Sequence, residues 1–206
     1  MVNVPDSLPA RMYLLAHDPR RQRMTAGSRL GYVLRAAALT ELFLDGRLLD
    51  ERKRAVPGTP GNDPYGLLAQ IASSRPRTWQ HWVRKDSRAM KRRVQSELVD
   101  AGLIRVQEHR VLGVFPATRV TVRDPRVVKS LWRGASSALW GQPVAHVNSL
   151  DAAVVALAAA GEITTFLPRS ERRRHKRRIA DLSARSGPAP KAVRKVIEAN
   201  TAAAAA

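Results

Sequence analysis

Residues 31–50, GYVLRAAALTELFLDGRLLD, constrain the fold more than any other segment of this chain. At about 3.6 residues per turn, the apolar side chains cover almost the whole circumference of a helix, so this helix is predicted to be mostly buried. Arg35 stands within the apolar set. A guanidinium keeps its proton inside a protein, and an unpaired buried charge destabilises a fold by roughly 3–5 kcal/mol. The sequence therefore predicts a partner for Arg35.

The residues alone suggest one structural partner for Arg35, an ion pair with a nearby acidic side chain such as Glu41 or Asp45. They leave open whether Arg35 forms this pair.

Helical spacing continues on both sides of this segment, and one region has the period of two that is typical of strands. LIRVQEHRVLGVFPATRVTV (103–122) predicts two strands around a turn, whereas DERKRAVPGTPGNDP (50–64) combines turn residues with basic ones and predicts a surface loop. LPARMYLLAHD (8–18) is predicted to be a short apolar element. Further helices are predicted at YGLLAQIASS (65–74), TWQHWVRK (78–85), DSRAMKRRVQSELVDAG (86–102), PRVVKSLWRGASSALW (125–140) and SLDAAVVALAAAG (149–161). The predicted fold class is a mainly α single domain with one β-hairpin.

The charge balance indicates the class of partner. The chain has 36 Lys and Arg against 17 Asp and Glu, a formal net charge of +19. This excess predicts attraction to phosphate-bearing partners, which are nucleic acids or anionic lipids. The tract RSERRRHKRR (169–178) is its densest part, and it fits either a solvated helix face or a surface facing an anionic membrane.

Several functional classes are disfavoured. The chain has no cysteine, its five histidines show no metal-ligand spacing, and no HExxH, GxSxG or phosphate-loop pattern occurs, so we expect no enzyme, no metal and no cofactor. The N-terminus lacks the features of a signal peptide. AAVVALAAA (152–160) is far shorter than the roughly 20 residues that cross a bilayer. We therefore expect a cytoplasmic protein whose membrane association is peripheral.

The order of several segments resembles the Golgi phosphoprotein 3 family. These segments are LPARMYLLA (8–16), LRAAALTELFLDGRL (34–48), PRTWQHWV (76–83) and KRRVQSELVDAGLIRV (91–106), and the last leads into the predicted hairpin. The resemblance covers residues 8–200 and leaves 201–206 as an Ala-rich tail. It implies a helical core with surrounding amphipathic helices, one protruding β-hairpin, and a pocket for the headgroup of phosphatidylinositol 4-phosphate. It implies no catalysis.

The resemblance also assigns candidate residues. The family's pocket arginine falls on Arg35, and its two basic residues spaced three apart fall on Arg88 and Lys91. The tryptophan that eukaryotic members place nine residues before this arginine is replaced here by Ala26, which predicts a lower affinity for the headgroup. Because Lys91 stands where the family has Arg, the charge is kept but the bidentate fork is lost.

The predicted hairpin carries apolar residues at or near its tip, Leu112, Val114 and Phe115. Exposed apolar side chains at such a tip indicate a partner or a bilayer, and the resemblance implies that this hairpin serves membrane contact or assembly into a homo-oligomer. The alternative is a hairpin folded onto its own core.

A winged-helix DNA-binding protein is the alternative function. A basic helix that runs directly into a two-stranded ribbon, as residues 87–122 predict, is typical of that class. Such a domain does not explain Arg35 inside an apolar helix, nor the resemblance at both ends of the chain. The sequence therefore favours a peripheral membrane protein that binds phosphoinositides over a nucleic-acid-binding protein.

Overall fold

A computed structural model describes residues 4–111, 115–141 and 143–205, and for residues 108–111 and 115–117 it describes the backbone alone. The fold is mainly α, as predicted. The helices are α1 (Leu8–Leu15), α2 (Arg29–Leu44), α3 (Leu67–Ala72), α4 (Trp79–Arg84), α5 (Ser87–Asp100), α6 (Pro125–Trp140), α7 (Ser149–Ala160), α8 (Arg169–Arg174), α9 (Lys176–Arg185) and α10 (Ala189–Ala205). The last helix continues into the Ala-rich segment.

Two helices with apolar residues on nearly all sides form the centre of the core. Helix α2 contacts α1, α4, α5, α7 and α10, and helix α7 contacts α1, α2, α6, α9 and α10. Residues 152–158 of α7 are all buried, as are most residues of α2. The prediction that the helix carrying Arg35 is buried is therefore confirmed.

The strands form three small antiparallel sheets. They are β1 (His17–Asp18), β2 (Arg23–Met24), β3 (Leu48–Glu51), β4 (Arg54–Pro57), β5 (Arg77–Thr78), β6 (Ile104–Val111) and β7 (Phe115–Val122). The pairings are β1 with β2, β3 with β4 and β4 with β5, and β6 with β7.

Part of the predicted surface loop at residues 50–64 is a β-hairpin instead. Strands β3 and β4 pair from Leu48 opposite Pro57 to Glu51 opposite Arg54. The turn between them consists of Arg52 and Lys53, which both have positive φ, 49° and 65°. Two-residue hairpin turns of this kind are dominated by Asn and Gly, so the basic dipeptide gave no turn signal. The loop prediction was wrong for residues 50–57.

The predicted hairpin of residues 103–122 is confirmed as β6 and β7, with Ile104 opposite Val122 and Val111 opposite Phe115. Its base is attached to the core. Ile104 and Val120 are buried, and Nε2 of His17 donates a hydrogen bond of 2.7 Å to the carbonyl oxygen of Val120. The base therefore belongs to the domain.

The tip of this hairpin lies largely outside the described part of the chain. Leu112 and Val114 are not among the described residues, and Phe115 is described by its backbone only. Their predicted role stays a prediction.

Candidate anion-binding site

The first turns of α2 and α5 meet at a close backbone contact. A Cβ atom added to Gly31 would overlap the carbonyl oxygen of Ser87 and come within 2.9 Å of its carbonyl carbon. Only glycine allows the two backbones to approach this closely. Because Arg35 lies one turn after Gly31 on α2, the contact directs Arg35 toward the end of α5 at which Arg88 lies.

Arg35 is buried, with 2% of its surface exposed, and its two hydrogen bonds go to neutral acceptors. Nε donates to the carbonyl oxygen of Trp82 at 3.0 Å, and Nη2 donates to Oε1 of Gln70 at 2.7 Å. Within the described residues, Nη1 makes no hydrogen bond and no carboxylate lies at ion-pair distance from the guanidinium. Arg35 therefore keeps donors that a ligand can use.

The structural alternative for Arg35, an ion pair with Glu41 or Asp45, is not formed. Oε2 of Glu41 accepts a hydrogen bond of 3.0 Å from the backbone N–H of Leu8. Asp45 lies 3.3 Å from Nη2 of Arg47. Both acids are engaged elsewhere, so neither neutralises Arg35.

Burial lowers the pKa of Arg35 to about 10, while the nearby carboxylates of Asp86 and Asp63 act in the opposite direction. The guanidinium therefore stays protonated at neutral pH. Asp63 accepts a hydrogen bond of 2.6 Å from the backbone N–H of Leu68 through Oδ2, and its Oδ1 is buried without a partner. These two acids partly balance the cations of the site.

Helix α5 begins without a side-chain cap. Asp86 precedes it in a left-handed conformation, φ 52°, and makes no capping hydrogen bond, while Ser87 is the first helical residue. The first N–H groups of a helix have no acceptor within the helix and carry partial positive charge. The uncapped end of α5 therefore offers N–H donors and a favourable field to an anion.

Arg88 and Lys91 lie in the first turns of this helix. Arg88 is exposed and Lys91 is half-buried, and neither forms an ion pair with the residues that the structure describes. Their spacing of three places them on one helix face. The structure thus brings Arg35 to the end of α5 that carries Arg88 and Lys91, whereas the prediction that all three line one pocket stays a prediction.

Residues around Arg35 that the sequence did not indicate strengthen the positive field. Nζ of Lys85 lies 5.2 Å from the ring centre of Trp82, whose side chain is fully buried. The imidazole of His81 meets the same indole edge to face at 5.1 Å. The pKa of His81 is lowered by burial and by the cations of Arg77, Lys85 and Arg35. An anion entering this region would be attracted by several charges at once.

Ala26, the position at which the resemblance implies a departure from tryptophan, lies just before α2. It is half-buried with a left-handed φ of 66°, and its carbonyl oxygen accepts a hydrogen bond from the backbone N–H of Arg29 at 2.9 Å. Its methyl group cannot provide the broad apolar surface of an indole ring. Position 26 therefore offers no aromatic contact to a ligand.

Comparison with known proteins identifies the family of the chain. The family model for Golgi phosphoprotein 3 (GPP34) matches residues 8–200. No curated protein matches the chain significantly. The matched span includes α2, α5 and the β6–β7 hairpin, and it does not favour the winged-helix interpretation.

Proposed function

Because the chain belongs to the Golgi phosphoprotein 3 family, we propose that it is a peripheral membrane protein that binds anionic lipid headgroups through Arg35, Arg88 and Lys91. The headgroup that we propose is a phosphoinositide such as phosphatidylinositol 4-phosphate. The observation that carries this proposal is the state of Arg35, a buried cation with neutral hydrogen-bond acceptors and an Nη1 that has no acceptor in the described part of the chain.

The proposed binding mode uses three kinds of donor. A phosphate at the end of α5 would accept hydrogen bonds from Nη1 of Arg35 and from the uncapped N–H groups of the first turn, with Arg88 and Lys91 as flanking charges. Charge-assisted bonds of this type contribute about 1.5–3 kcal/mol each. Because Asp63 and Asp86 oppose the anion, each of the three cations is expected to contribute to binding.

The absence of an aromatic side chain at Ala26 supports a lower affinity than in eukaryotic members. The family also supports membrane contact or self-association through the apolar residues that the sequence predicts at or near the tip of the β6–β7 hairpin, Leu112, Val114 and Phe115. Among the described residues, no helix is both long and apolar enough to cross a bilayer. On the basis of the family, we propose a cytoplasmic protein that docks on the membrane surface and carries out no catalysis.

Vesicle flotation tests this proposal. Vesicles of neutral lipid, of neutral lipid with phosphatidylserine, and of neutral lipid with phosphatidylinositol 4-phosphate are compared at matched total charge and at two salt concentrations. We expect no binding to neutral vesicles, preference for the phosphoinositide, and weaker binding at higher salt, because surface attraction is screened within about 10 Å at 0.1 M. Equal binding to neutral and anionic vesicles would contradict the proposal.

Matched variants separate the site from the overall positive charge. Arg88→Gln with Lys91→Gln removes two cations of the site, whereas Lys129→Gln with Lys195→Gln removes two exposed cations elsewhere. The first pair is expected to weaken phosphoinositide binding by roughly 10- to 150-fold, the second by no more than about threefold. If both pairs weaken binding equally, the vesicles are attracted by the overall positive charge of the chain and not by this site.

Arg35→Gln and Arg35→Lys complete the set, with thermal unfolding measured first. We expect Arg35→Gln to lose the preference for the phosphoinositide over phosphatidylserine, and Arg35→Lys to retain part of it. Duplex DNA at the same salt serves as a parallel ligand. If the chain binds DNA more tightly than any vesicle and the Arg35 variants leave both ligands unaffected, the winged-helix alternative replaces this proposal.

A further inference from the structure

A cleft of about 770 Å³ opens near the C-terminus, apart from Arg35 and α5. Helices α9 and α10 both pack on α7 but have far less contact with each other, so they diverge over α7. Gly187 and Pro188, in the turn between them, also line the cleft. Its volume lies in the range of roughly 300–1,000 Å³ that is typical of small-molecule sites.

The inner surface of this C-terminal cleft is apolar and built mostly from small residues. Helix α7 contributes Ala156, Ala159 and Ala160, while α9 and α10 contribute Ile179 and Ile197. Alanine methyl groups leave depth between the helices that larger side chains would fill. An alkyl chain would bury apolar surface against them, at about 25 cal/mol per Å².

The rim of the cleft is cationic. Its charged residues are Arg169, Arg172, Arg173, Lys176, Lys191 and Arg194, with Glu162 and Glu198 as the acids. Both acids already form ion pairs, Glu162 with Arg172 at 3.3 Å and Glu198 with Arg194 at 2.7 Å. The other four rim cations form no ion pair with the described residues. The rim therefore carries a net positive charge that nothing in the described structure offsets.

We infer that the C-terminal cleft binds an anionic amphiphile with a single alkyl chain, such as a long-chain carboxylate. The alkyl chain lies on the apolar floor and the carboxylate meets the rim cations. The cleft thus combines an apolar surface for an alkyl chain with unpaired cations for one negatively charged headgroup. The rim cations would also repel a basic surface of a second copy of this chain at this cleft.

This site is independent of the proposed headgroup site, because neither Arg35, Arg88 nor Lys91 lines it. Inorganic phosphate and nucleic acid would use the rim but not the floor, whereas a cationic amphiphile would use the floor but not the rim. These ligands therefore distinguish an amphiphile site from a charged surface and from an apolar one.

Displacement of cis-parinaric acid, a fluorescent long-chain carboxylic acid, tests the inference on the full chain below the micelle threshold. Palmitate is expected to displace the probe, whereas hexadecyltrimethylammonium, octanoate and inorganic phosphate at the same concentration are expected not to. Equal displacement by the cationic amphiphile would overturn the inference. So would displacement by an acidic amphipathic peptide but not by palmitate, which would indicate a peptide site.

Variants with equal net charge locate the binding. Arg173→Gln with Lys176→Gln removes two rim cations, and Arg174→Gln with Arg177→Gln removes two exposed cations of the same helices that do not line the cleft. The rim pair is expected to weaken probe binding roughly 5- to 25-fold and the control pair by less than about twofold.

Ala180→Phe fills the cleft without changing charge, since Ala180 is exposed and lines it. We expect probe binding to fall by at least about tenfold while the thermal unfolding midpoint stays unchanged, because an exposed site tolerates the larger side chain. The inference is wrong if the rim pair binds the probe as tightly as the control pair, or if Ala180→Phe binds it as tightly as the parent chain. Phosphoinositide vesicle binding should survive in Ala180→Phe, so failure of this site and failure of the headgroup site give different results.

Discussion

Replacement of Gly31 by alanine is expected to destabilise the domain, although alanine is the better helix former. The added Cβ would overlap the carbonyl oxygen of Ser87 and lie 2.9 Å from its carbonyl carbon. These are backbone atoms of α5, which cannot rotate away as a flexible side chain can. The helices α2 and α5 must therefore separate where Arg35 approaches α5.

The size of the effect follows from two opposing contributions. Overpacking of a filled interior costs about 1–3 kcal/mol, and the higher helix propensity of alanine returns at most about 1 kcal/mol. Because the clash is with rigid backbone atoms, the cost lies in the upper part of its range, about 2–3 kcal/mol, so the net loss in the free energy of unfolding is about 1–2 kcal/mol. For a domain of this length, about 1 kcal/mol shifts the unfolding midpoint by about 2–4 °C, so we expect a decrease of about 2–8 °C.

Gly134→Ala is the matched control, because Gly134 also lies inside a helix, α6. The nearest atom to its added Cβ is Oδ1 of Asp151, at 3.1 Å, and this side chain can move aside. We expect an unchanged or higher unfolding midpoint for this variant. Thermal and urea unfolding followed by far-ultraviolet circular dichroism measure both. If the unfolding midpoint of Gly31→Ala is no lower than that of Gly134→Ala, the close approach of α2 and α5 is refuted.

Three further changes test other contacts. Inositol 1,4-bisphosphate is expected to raise the pKa of His81 in an NMR titration, because the anion offsets the cations that lower it with burial; an unchanged pKa would argue against binding beside Arg35. Glu162→Gln is expected to lower the free energy of unfolding by about 1 kcal/mol or less, and the unfolding midpoint should fall accordingly. Burial raises the pKa of Glu162, but the ion pair with Arg172 lowers it, and the net shift is downward. The loss of stability in Glu162→Gln is therefore expected at pH values above the unfolded-state pKa of Glu162. It should vanish as the pH falls through the lower, folded-state pKa. Asn148→Ala removes the N-cap of α7 and is expected to cost about 0.5–2 kcal/mol in urea unfolding, with Asn148→Ser retaining most of the stability.

The long helices could be predicted from periodicity, because the spacing of their apolar residues matches the faces that are buried. The apolar circumference of residues 31–50 predicted burial, and α2, which ends at Leu44, is buried. In α5, Met90, Val94 and Leu98 recur at helical spacing, and all three are buried. The start of α5 follows no such pattern, since Asp86 precedes the first helical residue, Ser87, in a left-handed conformation.

The short strands could not be predicted from pattern, because pairing partners and tertiary contacts determine them. Strand β5 has two residues and pairs with β4, which lies more than 20 positions earlier. The Arg52–Lys53 turn adopts left-handed conformations without the residues that favour them. A basic stretch with Pro and Gly nearby therefore resembled a loop.

The charged residues of the candidate site could be predicted from the sequence, but the groups that hold the Arg35 side chain in place could not. Helix geometry alone disfavours the ion pairs left open for Arg35: Glu41 lies about 120° around the helix, and Asp45 about 15 Å along it. The acceptors that Arg35 uses are a backbone carbonyl, which has no sequence signal, and Gln70, 35 positions away. Such contacts become visible only once α3 and α4 are placed.

The two hydrogen bonds of Arg35 also connect three helices that are distant along the chain. The guanidinium projects from α2 and holds Gln70 of α3 and the carbonyl of Trp82 at once. An anion that binds only when these helices are assembled stabilises the assembled form by RT ln(1 + [L]/Kd), about 2.7 kcal/mol at a ligand concentration of 100 Kd. Amides of α3 and α4 that exchange by local opening should then exchange with deuterium about 100-fold more slowly. Occupancy of the proposed headgroup site would thus lower the equilibrium population of the open form of two short helices that have few residues of their own to hold them closed.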